Sequence, residues 1–227
     1  MKTVALIPCK SKSERLPAKN LKRVGDKTLV ERAVYVANKC DLVVLCSDST
    51  EIIDLGLAMA ETVGVRGVGL VLDEEMAELT GKRVPMEDVI EAAIRRYPGD
   101  RYVLLQPTSP LRRRRHVQSA LALLDEVDSA HSVHEVTEEV YFSGTTDASG
   151  CWTPDRPWGT REFSNDLQKR LRENGAIYAF THDHWTKTRN RMSRNNRTVE
   201  MLPEEGIDIN TPADLERAQR WWGGEIT

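Results

Sequence analysis

At 227 residues the chain is long enough to bury the core of one large α/β domain, and its formal net charge of −3 argues against nucleic-acid binding through bulk electrostatics. Its four cysteines are widely spaced and include no C-x-x-C pair, which argues against a zinc site and fits reduced thiols in the cytoplasm. The first residues show no signal-peptide pattern and no apolar run approaches the roughly 20 residues that span a bilayer, so we expect a cytoplasmic protein that binds no membrane.

Apolar runs of strand length alternate with apolar residues at helical spacing along most of the chain. Buried strands are predicted at residues 4–7, 43–46, 102–105, 130–136 and 174–180, with a further short strand in the glycine-rich passage 64–69. Helices are predicted over residues 29–38, 50–61, 89–97 and 117–124. The alternation is typical of an α/β fold with a mostly parallel sheet and helices on both faces.

This regular pattern changes in the last third of the chain. From about Val140 to Arg172, turn residues, aromatics and charges mix without a clear period, which predicts an inserted lobe. Its exposed aromatics could form a small core or, as we slightly favour, a contact between subunits. Near the end, Ile207–Asn210 is predicted to be a short strand. The segment Thr211–Asp214 then has the N-cap, the proline and the acid that begin a helix.

The loop after the first strand is rich in cations. Lys10, Lys12, Arg15 and Lys19 lie within ten residues, with only Glu14 against them. Open α/β sheets bind ligands at the carboxyl ends of their strands, and this density of positive charge suits a polyphosphate. On charge alone, a solvated surface loop explains the pattern equally well.

Several common sites are excluded by spacing. Gly25–Thr28 and Gly81–Lys82 lack the upstream glycine of a P-loop, and Gly67–Gly69 lacks the third glycine of a dinucleotide fingerprint. A Ser-His-Asp triad has no nucleophile elbow from which to start. His182 and His184 could suggest a metal, but without a third ligand in view an ordinary polar turn explains them better.

The basic loop and one late acid, Asp208, remain. Nucleotidyl transfer needs both parts, because cations hold phosphate oxygens and a carboxylate suits Mg²⁺, which prefers one or two protein oxygens plus substrate phosphates. The residues themselves therefore predict Mg²⁺-dependent chemistry on a nucleotide.

Four stretches carry a resemblance to a known family: Ile7–Asn20, Leu104–Arg112, Glu173–Tyr178 and Ile207–Leu215. In this order along the chain they resemble the CMP-sugar synthetases, in particular the acylneuraminate (nonulosonate) cytidylyltransferases. The resemblance implies a single Rossmann-like domain over residues 1–227, with residues 140–185 as an extension that contacts the partner in a homodimer. It also implies the reaction, in which CTP and a 2-keto sugar acid give a CMP-sugar and pyrophosphate.

The resemblance further implies roles for the nucleotide-binding residues. Lys19 matches the family's catalytic lysine, and Asp208 matches a ligand of Mg²⁺. Ser13 and Asn20 would hold the nucleotide, with Arg15 and Lys12 as supporting charge. A surface lysine and a turn asparagine remain the alternative for Lys19 and Asn20, and an exposed acid before a capped helix remains the alternative for Asp208.

On the acceptor side, the resemblance implies that Gln106 orients the sugar, that Tyr178 shapes its pocket and that Asn174 binds substrate. Two alternatives stay open. Tyr178 could be an ordinary core residue of a buried strand, and Gln106 could bond to the backbone of its own loop.

Four positions depart from the family pattern. Lys10, which the resemblance implies is catalytic together with Lys19 and Asp208, replaces an arginine of the first loop. Asn210, the second implied metal ligand, replaces an aspartate. Ser164-Asn165 stands where an Arg-Gln pair usually holds the sugar's carboxylate, and Thr80–Arg83 stands near a usual acid. Either another cation takes the missing arginine's role or the acceptor differs; the candidate cations are Arg161, Lys169 and Arg170.

These departures keep two further functions open. One is a cytidylyltransferase for a different sugar, such as an octulosonic acid. The other is a relative that binds nucleotide without turnover, because Lys10 loses bidentate phosphate recognition and Asn210 carries no charge.

Overall fold

The computed structural model describes residues 1–71, 84–156 and 166–222. The stretches around Thr80–Arg83 and Ser164-Asn165, and the candidate Arg161, lie outside the described residues. In chain order the described strands are β1 (Thr3–Pro8), β2 (Arg23–Val24), β3 (Lys27–Thr28), β4 (Leu42–Cys46), β5 (Val68–Val71), β6 (Arg101–Leu104), β7 (Ser129–Glu135), β8 (Gly144–Thr146), β9 (Trp152–Pro154), β10 (Leu171–Thr181) and β11 (Asn196–Glu200).

The helices cover both faces of the main sheet. The described α-helices are α1 (Leu29–Val36), α2 (Thr50–Thr62), α3 (Met86–Arg96), α4 (Arg114–Leu123), α5 (Thr137–Tyr141), α6 (His182–Thr188) and α7 (Pro212–Trp221). None of the described helices is long and apolar enough to cross a membrane.

Seven strands form the main sheet in the order β11-β7-β10-β6-β1-β4-β5. Neighbours pair in parallel except at β10, which is antiparallel to both β6 and β7. The prediction of a mostly parallel sheet is therefore confirmed. In this register Tyr178 on β10 lies opposite Leu104 on one side and His131 on the other.

Alternation along the strands divides the core between the two faces. On β1, Ala5 and Ile7 pack in a cluster with α1, α2 and α4. Val4 and Leu6 point to the other face and pack in a cluster with α3 and with Trp185 of α6. The prediction of helices on both faces is confirmed.

The start of α7 matches its predicted signals. The Thr211 hydroxyl accepts a hydrogen bond from the Asp214 N–H at 3.3 Å, and the Asp214 carboxylate accepts from the Thr211 N–H at 2.9 Å. Pro212 occupies the first turn. The cap fixes where the helix begins and therefore fixes the segment just before it.

Two local predictions were wrong. Residues 207–210 are not a strand; Ile207 and Ile209 are buried because they pack with Ala218 of α7, and the Ile209 N–H donates to the Thr108 carbonyl at 2.8 Å. The predicted polar turn at His182–His184 is instead the first turn of α6, capped by the hydroxyl of Thr181.

The predicted lobe contains a small antiparallel hairpin, in which β8 pairs with β9. Phe142 and Trp152 are 47 % and 44 % exposed, and Val140 and Leu171 are also exposed. These side chains leave apolar surface on this part of the chain. A subunit contact through residues 140–185 stays a prediction.

Candidate functional site

The carboxyl ends of β1 and β4 lie side by side, and the loops that leave them bond to each other. The Ser47 hydroxyl donates to the Cys9 carbonyl at 2.8 Å. Beyond it, the Asp48 carboxylate accepts from the Ser11 N–H at 2.6 Å and from its hydroxyl at 2.9 Å. The first loop, residues 9–20, is therefore anchored at its base by the neighbouring strand's loop.

The end of the first loop folds back on its beginning. The Asn20 amide donates to the Lys10 carbonyl at 2.8 Å, and Asn20 is buried. Ala18 has a φ of 51°, the left-handed conformation that turns the chain into a short 3₁₀ segment at Lys19–Leu21. Asn20 thus shapes the loop from inside and sets Lys10 close to Lys19.

Lys19, Asn210 and Asp208 meet at this edge. The Lys19 Nζ donates to the Asn210 Oδ1 at 3.3 Å, and the Asn210 Nδ2 donates to the Asp208 carboxylate. The segment that carries the last two is held by α7, since the Asn210 N–H donates to the Asp214 carboxylate at 3.1 Å. These hydrogen bonds link the first loop, near the N-terminus, to the segment just before α7, near the C-terminus.

The charges around Lys19 act in opposite directions. Burial lowers the pKa of its ammonium, the carboxylates of Asp208 and Asp214 raise it, and the nearby cations of Arg15 and Lys10 lower it again, with a net shift downward. Lys10 and Arg15 are exposed, and Ser13 is half-buried. A polyanion at the loop would relieve the repulsion among these cations.

The oxygens of Asp208 and Asn210 fit a hard cation. Asp208 offers an exposed carboxylate, and the side-chain amide of Asn210 lies beside it, with its nitrogen toward Asp208 and its oxygen toward Lys19. A turn of this amide would bring its oxygen beside the Asp208 carboxylate. Among residues 1–71, 84–156 and 166–222, no group of three or more His, Cys, Asp or Glu side chains could hold a metal. Two oxygens suit Mg²⁺, which takes its other ligands from phosphate and water, better than a structural zinc.

Gln106 lies two residues after the end of β6, and the side chain of Arg112 holds its backbone in place. The Arg112 Nη1 donates to the Gln106 carbonyl at 2.7 Å and to the Ala176 carbonyl of β10 at 2.8 Å. The Arg112 side chain is buried, which lowers the pKa of its guanidinium to about 9. Arg112 therefore holds the loop after β6 against β10, while the Gln106 residue remains half-buried.

The side chain of Asn174 is buried, and its oxygen accepts hydrogen bonds from within the protein. Its Oδ1 accepts from the Ser132 hydroxyl at 2.5 Å and from the Ala176 N–H at 3.1 Å. The pairing of β10 with β7 shifts register between Glu173 and Tyr178, and Gly175 has a φ of 74° there. Asn174 therefore stabilises the irregular part of β10, where the register with β7 shifts.

Tyr178 is a core residue of β10, and its place in a sugar pocket stays a prediction. Its ring is buried in the α3-side core, while its hydroxyl donates to the Glu173 carboxylate. Burial and the nearby Glu173 raise its pKa to about 12. The guanidinium of Arg191 lies 4.6 Å from the centre of the ring. Arg191 was missed by sequence reasoning, because residues 187–197 gave only a basic stretch without a motif.

Two of the cations considered for the missing arginine are described. The Lys169 Nζ pairs with the Glu200 carboxylate at 2.6 and 2.7 Å, on the edge strand β11. Arg170 is exposed, and its backbone pairs with the backbone of Val136 and with the hydroxyl of Thr137. Because Glu200 lies on β11, four strands away from β1 in the sheet, Lys169 is paired far from the first loop.

The chain is similar to known proteins over most of its length. A family model described as cytidylyltransferase matches residues 4–191. The chain is 25% identical over 231 residues to N-acylneuraminate cytidylyltransferase of Streptococcus agalactiae serotype III, which covers 95% of this chain and 52% of the relative. It is 24% identical to CMP-N,N'-diacetyllegionaminic acid synthase of Legionella pneumophila, over 94% of this chain and 93% of the relative. The chain spans about half the length of the N-acylneuraminate relatives it matches.

Solved structures share the fold. CMP:2-keto-3-deoxy-manno-octonic acid synthetase complexed with CTP superposes with a TM-score of 0.67 at 18% identity, over 97% of this chain and 98% of that one. The 4-diphosphocytidyl-2C-methyl-D-erythritol synthase of Anaerococcus prevotii follows with a TM-score of 0.61 at 10% identity, over 98% and 99%. At these identities the likeness establishes the architecture alone.

Proposed function

The chain belongs to the cytidylyltransferase family, and we propose that it transfers CMP from CTP to the anomeric hydroxyl of a nonulosonic, sialic-acid-like 2-keto sugar acid, releasing pyrophosphate. The observation that carries the proposal is the meeting of Lys19, Asn210 and Asp208 beside the cations of the first loop. Relatives named for neuraminic and legionaminic acids support this class of acceptor.

The first loop supplies the charge that binds the triphosphate of CTP. Lys10 and Arg15 are exposed on it, Ser13 lies between them in the chain, and Asn20 keeps the loop folded through the Lys10 carbonyl. The Lys19 ammonium, held by Asn210, neutralises the charge that develops as pyrophosphate leaves. Positioned cations of this kind act mainly on the transition state, so Lys19 affects turnover more than affinity.

The acceptor side lies at the ends of β6 and β10. Gln106 orients the sugar on a backbone that Arg112 fixes, and Tyr178 forms part of the wall. The anomeric oxygen attacks the α-phosphorus in line, forming a new oxygen–phosphorus bond. The bond to the oxygen that bridges the α- and β-phosphorus breaks, and pyrophosphate leaves with its electron pair while the hydroxyl proton is lost to solvent.

Asp208 and the amide oxygen of Asn210 are the residues that would hold Mg²⁺ in this site. When bound, Mg²⁺ neutralises phosphate charge and lowers the pKa of the attacking hydroxyl. Asn210 brings no charge, so we expect weaker Mg²⁺ binding than two carboxylates would give.

Specific observations favour two other functions. An octulosonic acid is the alternative acceptor, because Ser164-Asn165 departs from the sialic-acid pattern. Nucleotide binding without turnover is the other alternative, motivated by Lys10 and Asn210.

A panel of acceptors separates these functions. The purified chain is given CTP, Mg²⁺ and, in turn, a neuraminic, a legionaminic and an octulosonic acid, and kcat/KM is measured for each by product formation. We expect the highest value with a nonulosonic acid. A higher value with the octulosonic acid would establish the alternative acceptor instead.

A further inference from the structure

The Arg191 side chain lies on the face of the sheet that α3 covers. Its guanidinium lies over the ring of Tyr178, and its Nη1 donates to the carboxylate of Glu87 in the first turn of α3. Tyr178 is opposite Leu104, two residues before Gln106. The cation is therefore held beside the strand whose end carries the predicted sugar-orienting residue.

Arg191 has hydrogen-bonding capacity that its known partners do not use. The guanidinium offers five N–H donors, and its Nε is buried without a partner among the residues that the structure describes. The side chain as a whole remains 22 % exposed. A buried donor without an acceptor is unfavourable, so a ligand oxygen that reached this group would be stabilised there.

The proposed acceptor needs such a cation. A 2-keto sugar acid carries a carboxylate on the anomeric carbon, so the acid's charge comes close to the triphosphate when the hydroxyl attacks. In the proposed function the cations of the first loop bind the triphosphate, and the Lys169 ammonium is held by Glu200 on the edge strand β11, four strands away from β1. Arg112 also has unpartnered Nε and Nη2 atoms, but it is 1 % exposed and lies beneath the loop after β6, so a ligand cannot reach it. Arg191 is the cation of the described part of the chain that lies against Tyr178.

We propose that Arg191 binds the carboxylate of the acceptor and thereby selects 2-keto acids, an inference that rests on the proposed function. A planar guanidinium recognises a carboxylate through two parallel hydrogen bonds, which a lysine cannot match. Glu87 and the Tyr178 ring hold the guanidinium in place, so its orientation is set before the acid arrives.

The test replaces Arg191 by Gln and, separately, by Lys. In Arg191→Gln we expect the KM of the preferred acid to rise at least tenfold while the KM of CTP stays within about twofold. Arg191→Lys keeps the positive charge but loses the two parallel N–H donors of the guanidinium, so it should give an intermediate KM. Thermal unfolding of both variants shows whether each is folded.

Arg189 provides the matched control. It lies two residues away and pairs with Glu91, one turn further along α3, in the way that Arg191 pairs with Glu87. Arg189→Gln removes an equivalent ion pair and should leave the KM of the acid within about twofold of the unsubstituted chain. An equal rise in both variants would mean that the ion pairs act only through the fold, which would overturn the assignment.

A neutral analogue reports on the carboxylate itself. The methyl ester of the preferred acid is measured as an inhibitor against that acid, and we expect Arg191→Gln to leave its inhibition constant unchanged. An equal loss of affinity for acid and ester, or no loss for either, would overturn the inference about Arg191. No product from any acid with the unsubstituted chain would instead contradict the proposed function.

Discussion

Lys19 shows how one residue depends on distant parts of the chain. Its ammonium is positioned by Asn210, and Asp208 is the charged partner that most favours its protonated form. The sequence predicts each of these residues through resemblance to a family, while their contact appears only in the fold. Arg191 carries no such motif, and no local signal in the sequence places it over Tyr178.

Replacing Lys19 by Ala should lower kcat much more than it weakens CTP binding. Losing one group that stabilises transition-state charge typically costs about 10²- to 10³-fold in kcat, and the other cations of the loop still bind the triphosphate. Steady-state kinetics and CTP titration measure the two effects. Lys39→Ala, an exposed lysine, serves as the control, and unchanged turnover in Lys19→Ala would remove this residue from catalysis.

Asn210→Asp should reduce the concentration of Mg²⁺ that gives half-maximal activity. A second carboxylate beside Asp208 adds charge for a hard cation, because Mg²⁺ prefers anionic oxygen ligands. A Mg²⁺ titration of activity, together with a direct titration of Mg²⁺ binding, measures the change. Identical titrations for the two proteins would show that position 210 is not at the metal.

At the scale of elements, features set by local sequence were predicted correctly, whereas features set by tertiary contacts were not. The cap at Thr211 is local, and its prediction is confirmed. The alternating burial of Ile207 and Ile209 imitates a strand, although it comes from packing against α7. The antiparallel direction of β10 depends on which strands it meets across the sheet, and no pattern within the strand encodes it.

Arg112 joins two of these elements, and we expect its loss to destabilise the fold. Arg112→Ala would leave a cavity and remove the donor shared by the Gln106 and Ala176 carbonyls, which should cost about 2–4 kcal/mol of unfolding free energy. Urea denaturation measures the change. The exposed Arg95, paired with Glu91, is the control, and Arg95→Ala should cost below about 0.5 kcal/mol. A similar small cost at Arg112 would contradict its joining role.

His116 at the start of α4 should make stability depend on pH. Its Nδ1 accepts from the Arg113 N–H at 3.1 Å, and burial lowers its pKa to about 4. Between pH 6.5 and about 4 the unfolded chain therefore binds a proton that the folded chain does not. Stability should fall as pH falls through this window.

The measurement compares unfolding free energies of the unsubstituted chain and His116→Gln at several pH values. A glutamine oxygen can accept the same hydrogen bond without titrating, so the variant should lose less stability between pH 6.5 and 4. Parallel curves for the two proteins would show that His116 does not contribute.

At the scale of the whole molecule, the exposed apolar side chains of residues 140–185 bear on assembly. We propose that this segment contacts a second copy of the chain, because Phe142 and Trp152 expose apolar surface on it. The double substitution Phe142→Ser and Trp152→Ser should convert a dimer to a monomer in sedimentation velocity.

Trp221 is a matched control for the assembly prediction, since it is 59 % exposed but lies on α7, outside the lobe. Trp221→Ser should leave the dimer intact. A monomer for the unsubstituted chain, or a dimer that persists in the double variant, would contradict a contact through residues 140–185.

The central claim is that the site at the carboxyl edge of β1 transfers CMP from CTP to a 2-keto sugar acid. Its most direct test is pyrophosphate release from CTP, measured with Mg²⁺ in the presence and absence of the panel of acids. We predict release only when an acid is present, with one CMP-sugar formed for each pyrophosphate. Measurable CTP binding without release for any acid would contradict the claim and leave a nucleotide-binding protein.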